Sequence, residues 1–340
     1  MATDQLLAAG KLPAAALERM LSRLPRADPR VLIGPRLGED AAVLACGDRY
    51  LVASTDPVTF ASDRIGWYCV HVNANDVAVL GADPRWFFAV LLLPEGQATT
   101  AMAETITADI VETCRALDVS LCGGHTEVTI GLDRPIVVGH MLGEVEPARL
   151  VRKDALQVGD RILLTRGAAL EGTAILARER PDLCAARLDP ALLARAQALL
   201  FEPGITIVDA ARTAMAAGRV RAMHDPTEGG IATGLWELAH AGGRGLRVWN
   251  DAIPILPETE AVCAAFGLDP LRLVASGALI IAAEPDEADR IARALVARGI
   301  PVADIGQAQP AEDGIQIQVS GQWVALEPAD RDEIARVFGQ

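Results

Sequence analysis

Basic residues, aromatics, paired cysteines and long apolar runs are all scarce in this 340-residue chain. Lysine and arginine number 31 against 45 acidic residues, a net charge of −14. That balance argues against a nucleic-acid backbone or an anionic membrane as the main partner. One bound nucleotide stays open, because a magnesium ion bridges carboxylates and phosphates. The longest apolar run, near Trp86–Leu93, falls far short of the ~20 residues of a membrane span. The opening residues, with Asp4 and Lys11 among short Ala/Leu stretches, lack the charged-then-apolar secretory pattern, so a cytoplasmic location is expected. The cysteines, Cys46, Cys69, Cys114, Cys122, Cys184 and Cys263, form no C-x-x-C pair. A zinc knuckle or thioredoxin-like motif is therefore not expected, and buried reduced thiols are.

What is present is 51% apolar residues, enough to bury two cores, and a length of about two domains at roughly 150 residues each. Leu12, Leu17, Met20, Leu21 and Leu24 recur at helical spacing before Pro25. Ala41–Cys46 and Tyr50–Thr55 flank Gly47-Asp48 as a hairpin. A helix is predicted over 65–80, a buried strand over 86–93, a second helix carrying Met102, Ile106, Ile110 and Cys114, and strands over 119–122 and 136–142. Strands and helices do not alternate strictly, so the fold class is α+β. The charged stretch Arg149–Asp154, between Glu146-Pro147 and Val158-Gly159-Asp160, places a domain boundary there, giving domains 1–148 and 149–340. The second half gives strands at 161–165, 220–225, 246–249, 278–283 and 302–305, with helices between them.

Four acids stand out. In the helix at 65–80, the spacing Ile65, Cys69, Val72, Asp76, Val79 puts Asp76 and Asn75 on the edge of the apolar stripe. A carboxylate there costs several kcal/mol unless paired or metal-bound. Asp40, in Gly38-Glu39-Asp40-Ala41, leads into the first hairpin strand, and Asp56, in Ser54-Thr55-Asp56-Pro57, ends the second. Counting back from Cys46 opposite Arg49 sets residue 40 opposite residue 55, beside Asp56. Two carboxylates there repel unless a cation lies between them, and Mg²⁺ takes such oxygens together with phosphate oxygens. Either segment alone would read as a plain turn. Asp225, in His224-Asp225-Pro226-Thr227-Glu228-Gly229-Gly230, stands between a strand and a helix N-terminus suited to phosphate; helix capping by Asp225 or Thr227 is the competing reading. Gly123-Gly124-His125-Thr126-Glu127 follows a strand and would let a backbone approach a ligand closely. Gly167 to Gly172 has P-loop spacing, but Thr173 follows where the phosphate-binding lysine is required, so a Walker-type site is excluded.

The ordered set Gly38–Ala42, Ser54–Pro57, Asn75–Pro84, Gly123–Thr126, Val158–Asp160, Leu170–Leu176 and His224–Gly230 resembles the aminoimidazole ribonucleotide synthetase-related, PurM-like superfamily, and within it most of all the HypE branch. The resemblance spans roughly residues 30–310. It implies a PurM-like N-terminal domain that joins a second copy in a barrel-like homodimer core, and a PurM-like C-terminal α/β domain. It implies ATP and Mg²⁺ as ligands. Asp40, Asp56, Asp76 and Asp225 match the metal-holding acids; Asn75, Gly123, Gly124, Thr126 and Glu127 match nucleotide-contacting positions. The implied chemistry is phosphoryl transfer to an amide-like oxygen of a small-molecule or protein-bound carboxamide, by positioning and charge neutralisation without a protein nucleophile. The alternatives are a catalytically silent nucleotide-binding assembly partner and a small-molecule kinase like thiamine phosphate kinase. Two departures stand against the HypE pattern. No cysteine lies in the final Arg336–Gln340 stretch, and His125 sits where an acid usually follows the two glycines.

Overall fold

The computed structural model describes residue 7 and residues 9–25 and 28–338; Asp4 and the last two residues, Gly339 and Gln340, lie outside that range. Helix α1 (Ala14–Leu21) precedes the first sheet. The Gly47-Asp48 turn folds β2 (Ala42–Cys46) onto β3 (Arg49–Val58), with Cys46 opposite Arg49 and Ala42 opposite Ala53, the register counted from the sequence. With β1 (Val31–Ile33), β4 (Asp83–Pro94), β5 (Ser120–Thr129) and β6 (Ile136–Val145) they form a six-stranded sheet in the order β1-β2-β3-β6-β4-β5. The sheet is open within one chain.

Two helices, α2 (Ile65–Val79) and α3 (Thr100–Ala116), follow β3 and β4. Helix α2 presses onto β6, where a Cβ on Gly139 would meet Asn73 Nδ2 at 2.4 Å and one on Gly143 would meet Val77 Cγ1 at 2.4 Å. Only glycine permits that approach. The amphipathic reading of α2 needs correcting: 13 of its 15 residues are buried, because a helix of the second half covers the side expected to face water. Strand β4 also differs from the buried strand expected. Phe87, Ala89 and Leu91 are buried, whereas Phe88, Val90 and Leu92 are only half-buried, the period-2 pattern of a sheet fully covered on one face.

The chain crosses to the second half through two 3₁₀ turns at 147–149 and 153–155. There β7 (Arg161–Thr165), β8 (Ala222–His224), β9 (Gly245–Trp249), β10 (Ile280–Ala283), β11 (Val302–Gln309), β12 (Ile315–Val319) and β13 (Gln322–Ala325) form a seven-stranded sheet in the order β13-β12-β9-β11-β7-β10-β8. The helices are α4 (Leu170–Glu179), α5 (Pro181–Ala185), α6 (Pro190–Ala198), α7 (Val208–Ala217), α8 (Gly230–Gly242), α9 (Pro257–Phe266), α10 (Pro285–Ala297) and α11 (Ile334–Phe338). Along β7, Leu163 joins the core shared with α2, α7 and α10, while Ile162 and Leu164 join the core under α8. The first core is therefore continuous between the two sheets. A third cluster, built from α4, α6, α9 and α11, packs around Tyr68 of α2. No single helix among the described residues is long and apolar enough to cross a membrane.

Candidate active site

The hairpin register carries Asp40 and Asp56 to one end of the sheet. Asn73 fixes Asp56 by its backbone: its Oδ1 accepts the Asp56 N–H at 2.9 Å and its Nδ2 donates to the Asp56 carbonyl at 3.2 Å. Asp76 lies three residues further along α2, and its Oδ2 accepts from the Ser54 hydroxyl. These three acids line a cleft of about 550 Å³ with Lys11, Thr227 and Glu228. Asp225, immediately after β8, adds its charge to theirs and is only 1% exposed. Neither of its carboxyl oxygens has a hydrogen-bond partner, so it does not cap the helix that follows. Buried carboxylates without partners are rare and costly.

Asp40 differs from the other three. Its Oδ2 accepts from Lys153 Nζ at 2.7 Å, and its Oδ1 lies 3.0 Å from His224 Nδ1. His224 Nε2 in turn lies 3.0 Å from Glu237 Oε2, and Lys11 Nζ donates to Glu237 Oε1 at 2.8 Å. Burial would push the Asp40 carboxyl up, but His224 and Lys153 hold it well below the carboxylate range. Burial works against the His224 cation too, yet Asp40 raises it to about 9. Glu237, against the cost of burial, is held down to about 2 by His224 and Lys11.

The remaining acids go the other way. Burial raises Asp56 to about 6, although its hydrogen bond from Asp76 opposes this. Asp76 is pushed far up by burial and by Asp56 and Asp225, and Asp225 by burial and Asp40. Burial thus raises all three crowded carboxyls, and a cation between them would lower them again. Carboxylate oxygens of Asp40 and Asp225 lie within 4.8 Å of each other and of a His224 ring nitrogen, which is itself engaged by Asp40. Carboxylate oxygens with unpartnered lone pairs are the donors a hard divalent ion takes, so the residues present fit Mg²⁺.

The other expected site residues are placed elsewhere. Asn75 Nδ2 donates to the Ile205 carbonyl and its Oδ1 accepts the Ile207 N–H, both at 2.9 Å; the amide ties α2 to the start of α7 and does not line the cleft. Gly123, Gly124, Thr126 and Glu127 lie within β5, not in a loop after a strand, and are exposed on the edge of the sheet. Three strand spacings separate β5 from β3, so one chain does not bring these residues to the acids. Glu127 Oε2 instead lies 3.3 Å from His125 Nε2. Sequence reasoning missed Asn73, Lys153 and Glu237. Asn73 had a readable signal, three residues before Asp76 on one helix face.

Residues 38–145 match the model of the AIR synthase related protein N-terminal domain, and residues 157–318 match that of its C-terminal domain. A carbamoyl dehydratase HypE of Rhodobacter capsulatus is 32% identical over 266 residues, covering 77% of this chain and 74% of that protein. The crystal structure of Escherichia coli HypE, a hydrogenase maturation protein, superposes with a TM-score of 0.71 at 24% identity, over 91% of this chain and 95% of the other. A HypE structure in complex with ATP gives 0.67 at 24% identity, over 94% of this chain and 91% of the other. With most of its length matched by the two domain models, the chain belongs to the AIR synthase related family.

Proposed function

We propose that this chain is an enzyme that binds ATP with Mg²⁺ in the acidic cleft and transfers the γ-phosphoryl group to the oxygen of an amide-type acceptor. The observation that carries the reading is Asp225, buried with both oxygens unpartnered beside Asp56 and Asp76. The similar fold solved with ATP and the relative named a carbamoyl dehydratase support the nucleotide and the amide class. Asp40, Asp56, Asp76 and Asp225 would hold the metal, which supplies neutralisation of the triphosphate charge. Lys153 and His224 fix Asp40 in the orientation the cleft uses, and Asn73 fixes Asp56. Asp76→Asn is expected to abolish Mg-ATP binding measured by calorimetry while the circular dichroism spectrum stays native, and Asp40→Asn to weaken it. Unchanged nucleotide affinity in both variants would overturn the site. Free phosphate appearing with ADP, rather than a stable phosphorylated product, separates this chemistry from a small-molecule kinase.

A homodimer is part of the proposal. Strand β5 leaves nine of its ten residues exposed at the edge of the sheet, with Leu121 and Val128 at 41% and 58% exposure, and a long open edge needs a cover. A second copy laid there would bring Gly123, Gly124, Thr126 and Glu127 against another chain, where they would meet the nucleotide. Sedimentation at micromolar concentration reads the dimer directly. ATP supply and six free thiols make the cytoplasm the proposed compartment.

A further inference from the structure

Where the chain crosses from the first half to the second, the crossing segment and the lead-in to β8 enclose a groove of about 330 Å³. It shares no lining residue with the acidic cleft. Four of its eleven lining residues are arginines, Arg149, Arg152, Arg219 and Arg221, and none is acidic. A chain with 31 basic residues against 45 acidic ones has concentrated its positive charge here. The rest of the lining is mainly apolar, with Leu150, Val151, Met215 and Val220.

The backbone that carries the arginines is fixed. The Val151 N–H donates to the Leu80 carbonyl at 3.1 Å, and a Cβ on Gly81 would meet the Arg149 carbonyl oxygen at 2.6 Å. In the second segment the Arg219 N–H donates to Glu287 Oε2 and the Arg221 N–H to the Ala282 carbonyl, both at 2.9 Å. Arg221 is the most buried of the four, at 9% exposure. Glu284 takes one of its N–H groups at 2.5 Å. Its Nε has no hydrogen-bond partner, since the Asp160 oxygen near it lies 3.9 Å away. A guanidinium carries five donors, and a buried donor left unpaired is costly. The neighbouring acids are already engaged: Asp154 by Arg152, Glu284 by Arg221 and Glu287 by Arg290. Arg149 and Arg219 are exposed and have no ion pair among the described residues.

We propose that this groove binds a small phosphomonoester, with its phosphate between the arginines of the two segments and its body against Leu150 and Met215. Arginine forks match phosphate oxygens in pairs, and several around one concavity favour a dianion over a single carboxylate. The volume is that of a small-molecule pocket. Both segments run on to the cleft. Lys153, next to Arg152, donates to Asp40 at 2.7 Å, and β8 leads from Arg221 to His224 and Asp225. An anion held by both segments therefore braces the junction between the halves and stabilises the folded chain.

The test uses the full chain in EDTA without nucleotide, so that no Mg²⁺ can draw a phosphate to the acidic cleft. Calorimetric titration with phenyl phosphate is expected to show saturable binding and to raise the melting temperature, whereas benzyl alcohol, the neutral control, does neither. Weaker binding of inorganic phosphate than of phenyl phosphate supports the monoester, and equal or tighter binding overturns it in favour of the free ion. Arg149→Gln combined with Arg219→Gln is expected to weaken phenyl phosphate at least about tenfold, the worth of a charge-assisted hydrogen bond. Both side chains are exposed, so the ligand-free melting temperature and Mg-ATP affinity of this variant should match the wild type. Undiminished phenyl phosphate affinity in the variant, or no binding to the wild type at millimolar probe, overturns the proposal. Binding of hexaglutamate without phenyl phosphate also overturns it and makes the groove a dock for an acidic protein segment. Failure of Mg-ATP to bind the wild type strikes the cleft reading alone.

Discussion

Replacing Asn75 by alanine separates two roles that its motif leaves confounded. The side chain is fully buried and its amide satisfies the Ile205 carbonyl and the Ile207 N–H, both at 2.9 Å. These groups lie just before α7, and α2 and α7 share one core. Truncation leaves a buried donor and a buried acceptor unpaired, at roughly 1–3 kcal/mol each. A total loss on the order of 3 kcal/mol is a large fraction of a typical 5–15 kcal/mol stability, as ~5–15 kcal/mol is the usual range. With an unfolding entropy of about 2.1 cal/mol/K per residue, a chain of this size would melt about 4 °C lower. Scanning calorimetry at fixed protein concentration reads that shift. Asn75 does not line the acidic cleft, so ATP affinity is expected to stay within about twofold, well under the tenfold that ~1.4 kcal/mol represents. A variant with unchanged melting but nucleotide affinity lowered more than about tenfold would refute the structural assignment and return Asn75 to the nucleotide.

Lys153→Met is expected to destabilise the protein by about 3 kcal/mol or more in urea titrations, because it strips a 1%-exposed cation from Asp40 and from the Gly38 carbonyl. Its nucleotide affinity should fall as Asp40 loses its fixed orientation. A pH effect on stability follows from Glu171 and Asp332, both raised by burial to about 7. The folded state keeps these protons after the unfolded chain has lost them, so their contribution is complete below about pH 4 and fades as pH rises through about 7. The melting temperature of the metal-free protein should therefore fall between about pH 5 and pH 8, with Glu171 supplying on the order of 3 kcal/mol of the change. Glu171→Gln should flatten that part of the slope, and a slope identical to wild type would refute the assignment.

The hairpin was legible because a period-2 pattern on either side of Gly47-Asp48 admits one register, and that register alone sets Asp40 beside Asp56. The second-half strands were legible for a related reason: short apolar runs between glycine-rich turns leave few other assignments. The burial of α2 was not legible. Periodicity describes a helix against one partner, whereas α2 meets a sheet on one side and α7 on another. Gly124 carries a steric requirement that its motif does not reveal: it stands in a strand where a Cβ would lie 1.8 Å from the Ala89 carbonyl oxygen. Lys153 was hidden by its neighbours, since Arg149–Asp154 has the composition of a solvated linker and only the crossing between sheets turns this one ammonium inward.

That inward turn bears on how the cleft works. Lys153 and His224 both direct their hydrogen bonds to Asp40, while Lys11 is held by Glu237. The fold thus supplies hydrogen-bonded cations to one acid of four, and leaves Asp56 and Asp76 raised by burial and Asp225 with no partner. Had the cluster evolved toward stability alone, the isosteric amide of asparagine in place of Asp225 would relieve the repulsion at little cost to packing. The arrangement makes sense if the missing positive charge arrives with the ligand. Mg²⁺ bound to a polyphosphate provides that charge while adding phosphate oxygens to complete its coordination. By the same reasoning Asp40, already neutralised, contributes geometry more than charge. Asp225 then has the larger share in binding the cation, and Asp225→Asn should cost more Mg-ATP affinity than Asp40→Asn when both are measured by calorimetry at one pH.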